Sequence, residues 1–296
     1  MKNLVISSGG VIILSLIGSL KYLNENNLLK NIKCYFGVSA GAILCTMLAL
    51  DYTIDEIKDF LINFNAFKYV GEYDLINFIN NYGFSLGENH DIIAQSIIIY
   101  KLGKENKDYT FKELYDDKNI ELNIFATCVE DKTLWRFSHK NNENVPIWKA
   151  LLASTNLPFI FIPIKIGNNT FIDGAVINQY PINYVPDNEI NKTIGLYVNN
   201  NCNLDLNYFN NIPNLKYYLE ILFLYIVNKY KYSYKNTIRI SLPDKYKHYA
   251  FKFDICDEEK NILIDIGYNI TNHYYKINVY CKKKNLKLKR SNSCTF

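Results

Sequence analysis

The sequence predicts an α/β fold in which a mostly parallel sheet is flanked by helices. Three features of its N-terminal segment carry that expectation. Residues 4–6 are a short apolar run that reads as a buried strand, and the Gly-rich turn Ser7-Ser8-Gly9-Gly10 leads from it into a helix-like stretch. A second short run, Cys34-Tyr35-Phe36, precedes the turn Gly37-Val38-Ser39-Ala40-Gly41. Residues 42–50 then continue as a helix-like apolar segment. Two strand–turn–helix units in succession place parallel strands side by side, with helices on their faces.

The later elements follow from local signals. Thr53-Ile54-Asp55-Glu56 is a capping box that opens a helix reaching about residue 67. Residues 74–82 and 91–102 have a helical period, and Gly103 suits the stop of the second. Thr110-Phe111-Lys112-Glu113 is another capping box, ahead of a strand at 120–128. A polar turn at 129–132 precedes a returning strand at 133–138, and Pro146 starts a helix that ends at 154. Short strands are expected at 160–166, 170–172 and 194–198. From Asn199 the pattern changes to Asn-rich linker text, an amphipathic helix near 215–229, a strand, and a helix near 258–273. The chain divides into a domain at 1–200, an α+β extension at 201–281 packed on that domain, and a basic, flexible tail at 282–296.

Composition narrows the classes of function. With 296 residues, 49% hydrophobic and 21% charged, the chain has ample material for a globular core. A net charge of only +4 gives no argument for nucleic acid. The seven cysteines are scattered singly without a Cys-x-x-Cys pair, which suits a reducing compartment and opposes a disulfide framework or a zinc site. Residues 4–20 lack charge and follow Lys2, as a secretory segment would, but the Ser-Ser-Gly-Gly turn interrupts the run. A cytoplasmic location is the expectation.

Chemistry concentrates around Ser39. Strand, sharp Gly-x-Ser-x-Gly turn and helix form the nucleophile-elbow context, in which small flanking residues let the backbone present a hydroxyl. The same pentapeptide fits a tight turn whose serine merely caps the helix. The glycine-rich turn at Gly9, Gly10 and Val11, with the amide of Ala40, can aim several N–H groups at a developing oxyanion. It also fits a plain βα turn. In Phe171-Ile172-Asp173-Gly174-Ala175, Asp173 ends an apolar strand, where a carboxylate can serve as a base. An Asp-Gly pair is equally a common hairpin turn. His248 or His273 follows the acid in the order a Ser–Asp–His triad would need, but each reads as a solvated histidine.

Taken together, the ordered motifs resemble the patatin-like phospholipases over about residues 4–198. That family carries a glycine-rich oxyanion loop, a Gly-x-Ser-x-Gly elbow and a downstream Asp-Gly-Gly or Asp-Gly-Ala motif. Here Asp173 follows Ser39 by 134 residues. Ala153-Ser154-Thr155-Asn156-Leu157-Pro158 and Val176-Ile177-Asn178-Gln179-Tyr180-Pro181 flank Asp173 with further family-like text. The resemblance implies a three-layer α/β/α fold at 1–200 and a dyad of Ser39 as nucleophile and Asp173 as general base. It implies an oxyanion hole at Gly9, Gly10, Val11 and Ala40, with structural support from Gly37, Gly41 and Gly174. It implies a phospholipid or other acyl-lipid substrate hydrolysed through an acyl-Ser39 intermediate, and no metal or organic cofactor. The family loop usually reads Gly-Gly-Gly-x-Arg/Lys-Gly, whereas this chain has Ser8-Gly9-Gly10-Val11-Ile12-Ile13. Loss of the cation and last glycine keeps open a second reading, a non-enzymatic membrane- or partner-binding module. The basic run at 282–290 suits peripheral attachment to anionic lipid. Aromatic residues between Phe60 and Phe84 read as core, with some available to line an acyl pocket.

Overall fold

β1 (Asn3–Ile6) enters the sheet first, and its four residues are all buried. A 3-10 turn at Gly10–Ile13 then leads into α1 (Leu14–Glu25). β2 (Cys34–Val38) pairs parallel with β1, and the chain turns at Ser39 into α2 (Ala40–Ala49). The structure, a computed structural model, describes residues 1–63, 74–85, 88–199 and 236–291.

Both capping boxes form. Thr53 and Glu56 exchange backbone and side-chain hydrogen bonds at 2.7 and 3.1 Å to start α3 (Ile54–Asn63). α4 (Leu75–Asn81) is capped by Asp74, and β3 (Gly83–Ser85) separates it from α5 (Glu88–Leu102). Thr110 and Glu113 cap α6 (Phe111–Lys118) ahead of β4 (Glu121–Cys128). β5 (Leu134–Phe137) and α7 (Ile147–Ser154) follow. The strand expected at 160–166 divides into β6 (Phe159–Phe161) and β7 (Ile164–Ile166), because Pro163 has no N–H to continue a ladder. β6 leaves the main sheet to pair with β3. β8 (Asn169–Asp173), β9 (Thr193–Asn199) and β10 (Thr237–Ser241) complete the strands. The chain then runs through the short α8 (Asp244–Lys247) into the long α9 (Asp257–Ser291).

The eight-stranded sheet has the order β10-β9-β1-β2-β4-β8-β7, with β5 on the remaining edge of β4. Strands β10 through β4 in this order are mutually parallel. Alternate side chains feed two cores, as a sheet covered on both faces requires. Leu4, Ile6, Leu196 and Val198 face the helices α1 and α2, while Val5, Phe36, Val38 and Tyr197 face Tyr180, Ile182 and Val185.

One detail of register positions the site. β2 pairs with Glu121–Phe125 of β4, and β8 pairs with Ala126–Cys128. β5 occupies the other edge of β4 opposite both stretches. The parallel β2 and the antiparallel β8 therefore share one edge and meet tip to tip. Val38 sits opposite Phe125 and Asp173 opposite Ala126, so Ser39 and Asp173 are brought to one point.

The C-terminal part is built into this unit. β10 extends the sheet beside β9, and α9 crosses α1 at close range. At Gly18 a Cβ would overlap the Ile264 carbonyl, and at Gly267 it would overlap the Ser15 carbonyl. The Ser19 hydroxyl donates to the Gly267 carbonyl at 3.3 Å, within the same contact. α9 also continues well past the expected end near 273, through the basic run to Ser291. The helix expected near 215–229 lies outside the described residues. Among the described residues, no helix is long and apolar enough to cross a membrane.

The glycine crossing is testable. Gly267→Ala should destabilise the protein by about 1–3 kcal/mol in urea unfolding, because overpacking outweighs the better helix propensity of alanine. Unchanged or increased stability would contradict the close crossing.

Candidate active site

Ser39 has φ 54° and ψ −132°, a strained conformation for a residue with a side chain. That strain lets the chain leave β2 and enter α2 within one residue, with the hydroxyl held outward. Its neighbours must be small. A Cβ on Gly37 would press on Gly41 and Ala42, and one on Gly41 would overlap the carbonyls of Ile6 and Ser7 at the end of β1. Gly41 thus seats α2 directly against the start of the glycine-rich turn. Ser154 holds the elbow from below: its hydroxyl donates to the Phe125 carbonyl at 2.6 Å and accepts from the Ser39 amide at 2.9 Å.

Asp173 Oδ2 accepts a 2.6 Å hydrogen bond from the Ser39 hydroxyl. Its other oxygen accepts from the Ala175 amide at 2.8 Å, at the start of the 3-10 turn Gly174–Val176. The hairpin alternative for Asp173-Gly174 is therefore not what forms. The backbone of Asp173 is fixed as well. Its amide donates to the Asn156 carbonyl at 2.8 Å, and its carbonyl accepts from the Thr127 hydroxyl at 3.0 Å. Gly174 packs where a Cβ would overlap the Phe125 carbonyl.

Asp173 is fully buried, whereas Ser39 is 7% exposed. Burial pushes the Asp173 carboxyl up to about 7, against the opposing pull of the hydrogen bonds from Ser39 and Ala175. Such a group changes protonation near neutral pH, where a general base is useful.

Ser39 opens onto an apolar cavity of about 160 Å³. Gly9, Gly10, Val11 and Ala40 line it, so all four residues expected to form an oxyanion hole stand around the same space as Ser39. Gly10 has φ 53°, and a Cβ there would overlap the Ala250 carbonyl. Ile12 is fully buried in the core beneath the turn, while Ile13 lines the cavity. The lining also includes Phe251, Phe253, Ile255 and Lys260 from the C-terminal part. Phe60 lies in the wall too, whereas residues 64–73 of the aromatic-rich stretch lie outside the described residues.

Among the described residues, no histidine takes part in the Ser39–Asp173 contact. His273 is exposed on α9, and the side chain of His248 lies outside the described residues. His90 is buried, with Nε2 2.8 Å from the Thr155 hydroxyl and its ring stacked on Phe161. Burial pushes its imidazole down to about 3, so it is neutral at physiological pH. Thr155 and Phe161 both line the cavity, which makes His90 part of the wall's support. Among the described residues no cluster of His, Cys, Asp and Glu could hold a metal ion.

Sequence reasoning assigned no roles to Ser154, Asn156, Lys260 or the C-terminal wall. Ser154 and Asn156 stood inside family-like text, but nothing local shows that they hold Ser39 and Asp173.

A model of the patatin-like phospholipases matches residues 4–186, more than half of the chain. The chain belongs to the patatin-like phospholipase family. It is 33% identical over 216 residues to an uncharacterized protein of Acanthamoeba polyphaga mimivirus, covering 69% of this chain and 68% of that one. It is 29% identical over 185 residues to a probable lipid hydrolase of invertebrate iridescent virus 6, covering 61% and 62%. Among solved structures, VipD from Legionella pneumophila superposes with a TM-score of 0.60 at 16% identity, over 92% of this chain and 66% of VipD. The type III effector ExoU from Pseudomonas aeruginosa gives 0.53 at 16% identity, over 93% and 52%. At these identities the structural likeness is one of fold.

The buried carboxyl has a consequence for stability. The unfolded chain ionises Asp173 near pH 4, roughly its ordinary value, and the native chain does so only near about 7. The native state keeps the proton between these values, so stability from this group is full below the lower value and is lost as pH rises to the upper one. Asp173→Asn removes that loss. The variant should exceed wild type by up to about 4 kcal/mol at pH ~8, with the gap closing below pH ~4. Chemical unfolding at several pH values checks this, and a pH-independent gap would contradict it.

Proposed function

We propose that the protein hydrolyses fatty-acyl esters of phospholipids or related lipids through an acyl intermediate on Ser39, with Asp173 as the general base. The observation that carries this reading is the 2.6 Å Ser39–Asp173 hydrogen bond at the wall of an apolar cavity. Family membership and the lipid-hydrolase relative support the substrate class.

The chemistry follows from the geometry. Ser39 Oγ attacks the acyl carbonyl carbon as its proton passes to Asp173 Oδ2. The oxyanion that forms is met by backbone N–H groups from Gly9, Gly10 or Val11 and from Ala40. The Ser39 amide already donates to Ser154, so the following amide at the start of α2 is the elbow's contribution. One such donor is typically worth ~3–4 kcal/mol of barrier. The intermediate collapses, the ester C–O bond breaks, and Asp173 returns the proton to the departing alcohol. Water then attacks the acyl-Ser39 ester, Asp173 takes its proton, and fatty acid leaves as Ser39 regains a proton.

Action at a lipid surface as a peripheral, cytoplasmic enzyme is part of the same proposal. α4 exposes Leu75, Ile76 and Ile79, and Phe78 beneath them stacks on Phe84 and contacts Phe159, two residues from the cavity-lining Phe161. An exposed apolar face and the basic run at 282–290 suit attachment to anionic lipid.

The second reading is a binding module without turnover. It is favoured by one feature, the isoleucines that replace the usual loop cation and glycine. Fatty-acid release from phospholipid vesicles separates the two. Ser39→Ala and Asp173→Asn should each lower the rate by at least about a thousandfold, since members of such a unit fail together. Wild-type-like release in either variant would refute the dyad, and vesicle binding without release by the wild type would favour the module.

A further inference from the structure

Lys260 is the one charged residue among the described residues that line the cavity. It stands in the first turn of α9, in the wall that also holds Phe251, Phe253 and Ile255. Only 13% of its side chain is exposed. A cation in such surroundings loses hydration and needs partners. Nζ donates to the Ile62 carbonyl, in the last turn of α3, and to Asp257 Oδ1 at 2.9 Å. An ammonium has three protons, and among the described residues these are its two hydrogen-bond partners. The Ile62 contact satisfies a carbonyl that α3 cannot bond internally. Asp257 is 72% exposed, so its pairing with Lys260 is a weak, solvent-screened one.

We propose that Lys260 is a specificity-determining residue that receives the anionic phosphate of a phospholipid head group while the acyl chain occupies the apolar cavity. This rests on the lipid-hydrolase reading for its biological meaning but not for its test. The glycine-rich turn carries no cation, because Ile12 points into the core and Ile13 adds only apolar surface to the cavity. Lys260 supplies a charge to the same space from another element. A capping role toward α3 accounts for the Ile62 contact. It does not account for a third N–H on a poorly hydrated cation beside an otherwise uncharged cavity. An anion entering there makes a charge-assisted hydrogen bond with little competition from water. A fatty-acid carboxylate shares that chemistry, so the head group and the released product must be told apart.

Binding to the full chain carrying Ser39→Ala tests this independently of turnover. Three ligands with the same chain length serve, each below its micelle concentration: dodecylphosphocholine, dodecanoate and the neutral dodecyl glucoside. Calorimetry should show dodecylphosphocholine preferred over the glucoside by about tenfold, the scale of one charge-assisted hydrogen bond. Lys260→Met should reduce that preference to near unity, and Lys260→Arg should retain most of it. Asp257→Asn, a change at an exposed position, should enlarge it by removing the competing carboxylate. A purely structural lysine would move affinity for all three ligands together. The proposal is overturned if the preference is absent, if it survives Lys260→Met, or if only dodecanoate depends on Lys260. Loss of hydrolysis with the binding preference intact would instead count against the Ser39–Asp173 mechanism alone.

Discussion

The hydrogen bond between Ser39 and Asp173 depends on two strands ending against each other on one edge of β4. β2 climbs that edge to Val38, β8 descends it to Asp173, and the facing pairs are Phe125 and Ala126. Much of the surrounding structure protects this junction. Ser154 spans it by bonding the Phe125 carbonyl and the Ser39 amide, while Asn156 and Thr127 fix the backbone of Asp173. A one-residue slip of β8 would turn Asp173 to the other face and leave the carboxylate without its partner. The junction is also where stability is given up. A buried carboxyl and a serine with positive φ both oppose folding, and they coincide at the residues with the most reactive arrangement.

The C-terminal part gives the domain its second support. It lies beyond the segment that the family model matches, yet it completes the cavity and grips the helix that follows the glycine-rich turn. The Ala250 carbonyl fills the place a side chain on Gly10 would need, and α9 crosses α1 at paired glycines. Held from outside in this way, the turn can commit Ile12 to the core instead of presenting a cation. Lys260 comes from α9, the helix that crosses α1 just beyond the turn, and lines the same cavity.

What could be read from the residues was local. Strand–turn–helix at 34–50, the capping boxes at Thr53 and Thr110, and the Gly103 stop each depend on neighbours within a few positions, and each formed. Ser39 was visible because its glycines sit beside it in the chain. Asp173 was not distinguishable from a hairpin turn by its own text, and family resemblance was needed to single it out. Its meeting with Ser39 depends on the register of three strands far apart in sequence. The same limit hid Ser154, whose two partners lie 29 and 115 residues away. It also hid the split at Pro163, where β6 leaves for β3, and the wall built by Phe251 and Phe253. The length of α9 was missed for another reason: its amphipathic signal fades in the basic run while the helix continues.

In the proposed reaction, a carboxyl kept dry by the fold takes the proton from Ser39. The rate at which a fluorophosphonate probe labels Ser39, followed across pH, measures that transfer most directly. The labelling rate should rise with a single ionisation near pH 7, close to where burial places Asp173. The rise should vanish in Asp173→Asn. Labelling of Ser39 that is flat with pH and undiminished in Asp173→Asn would contradict it.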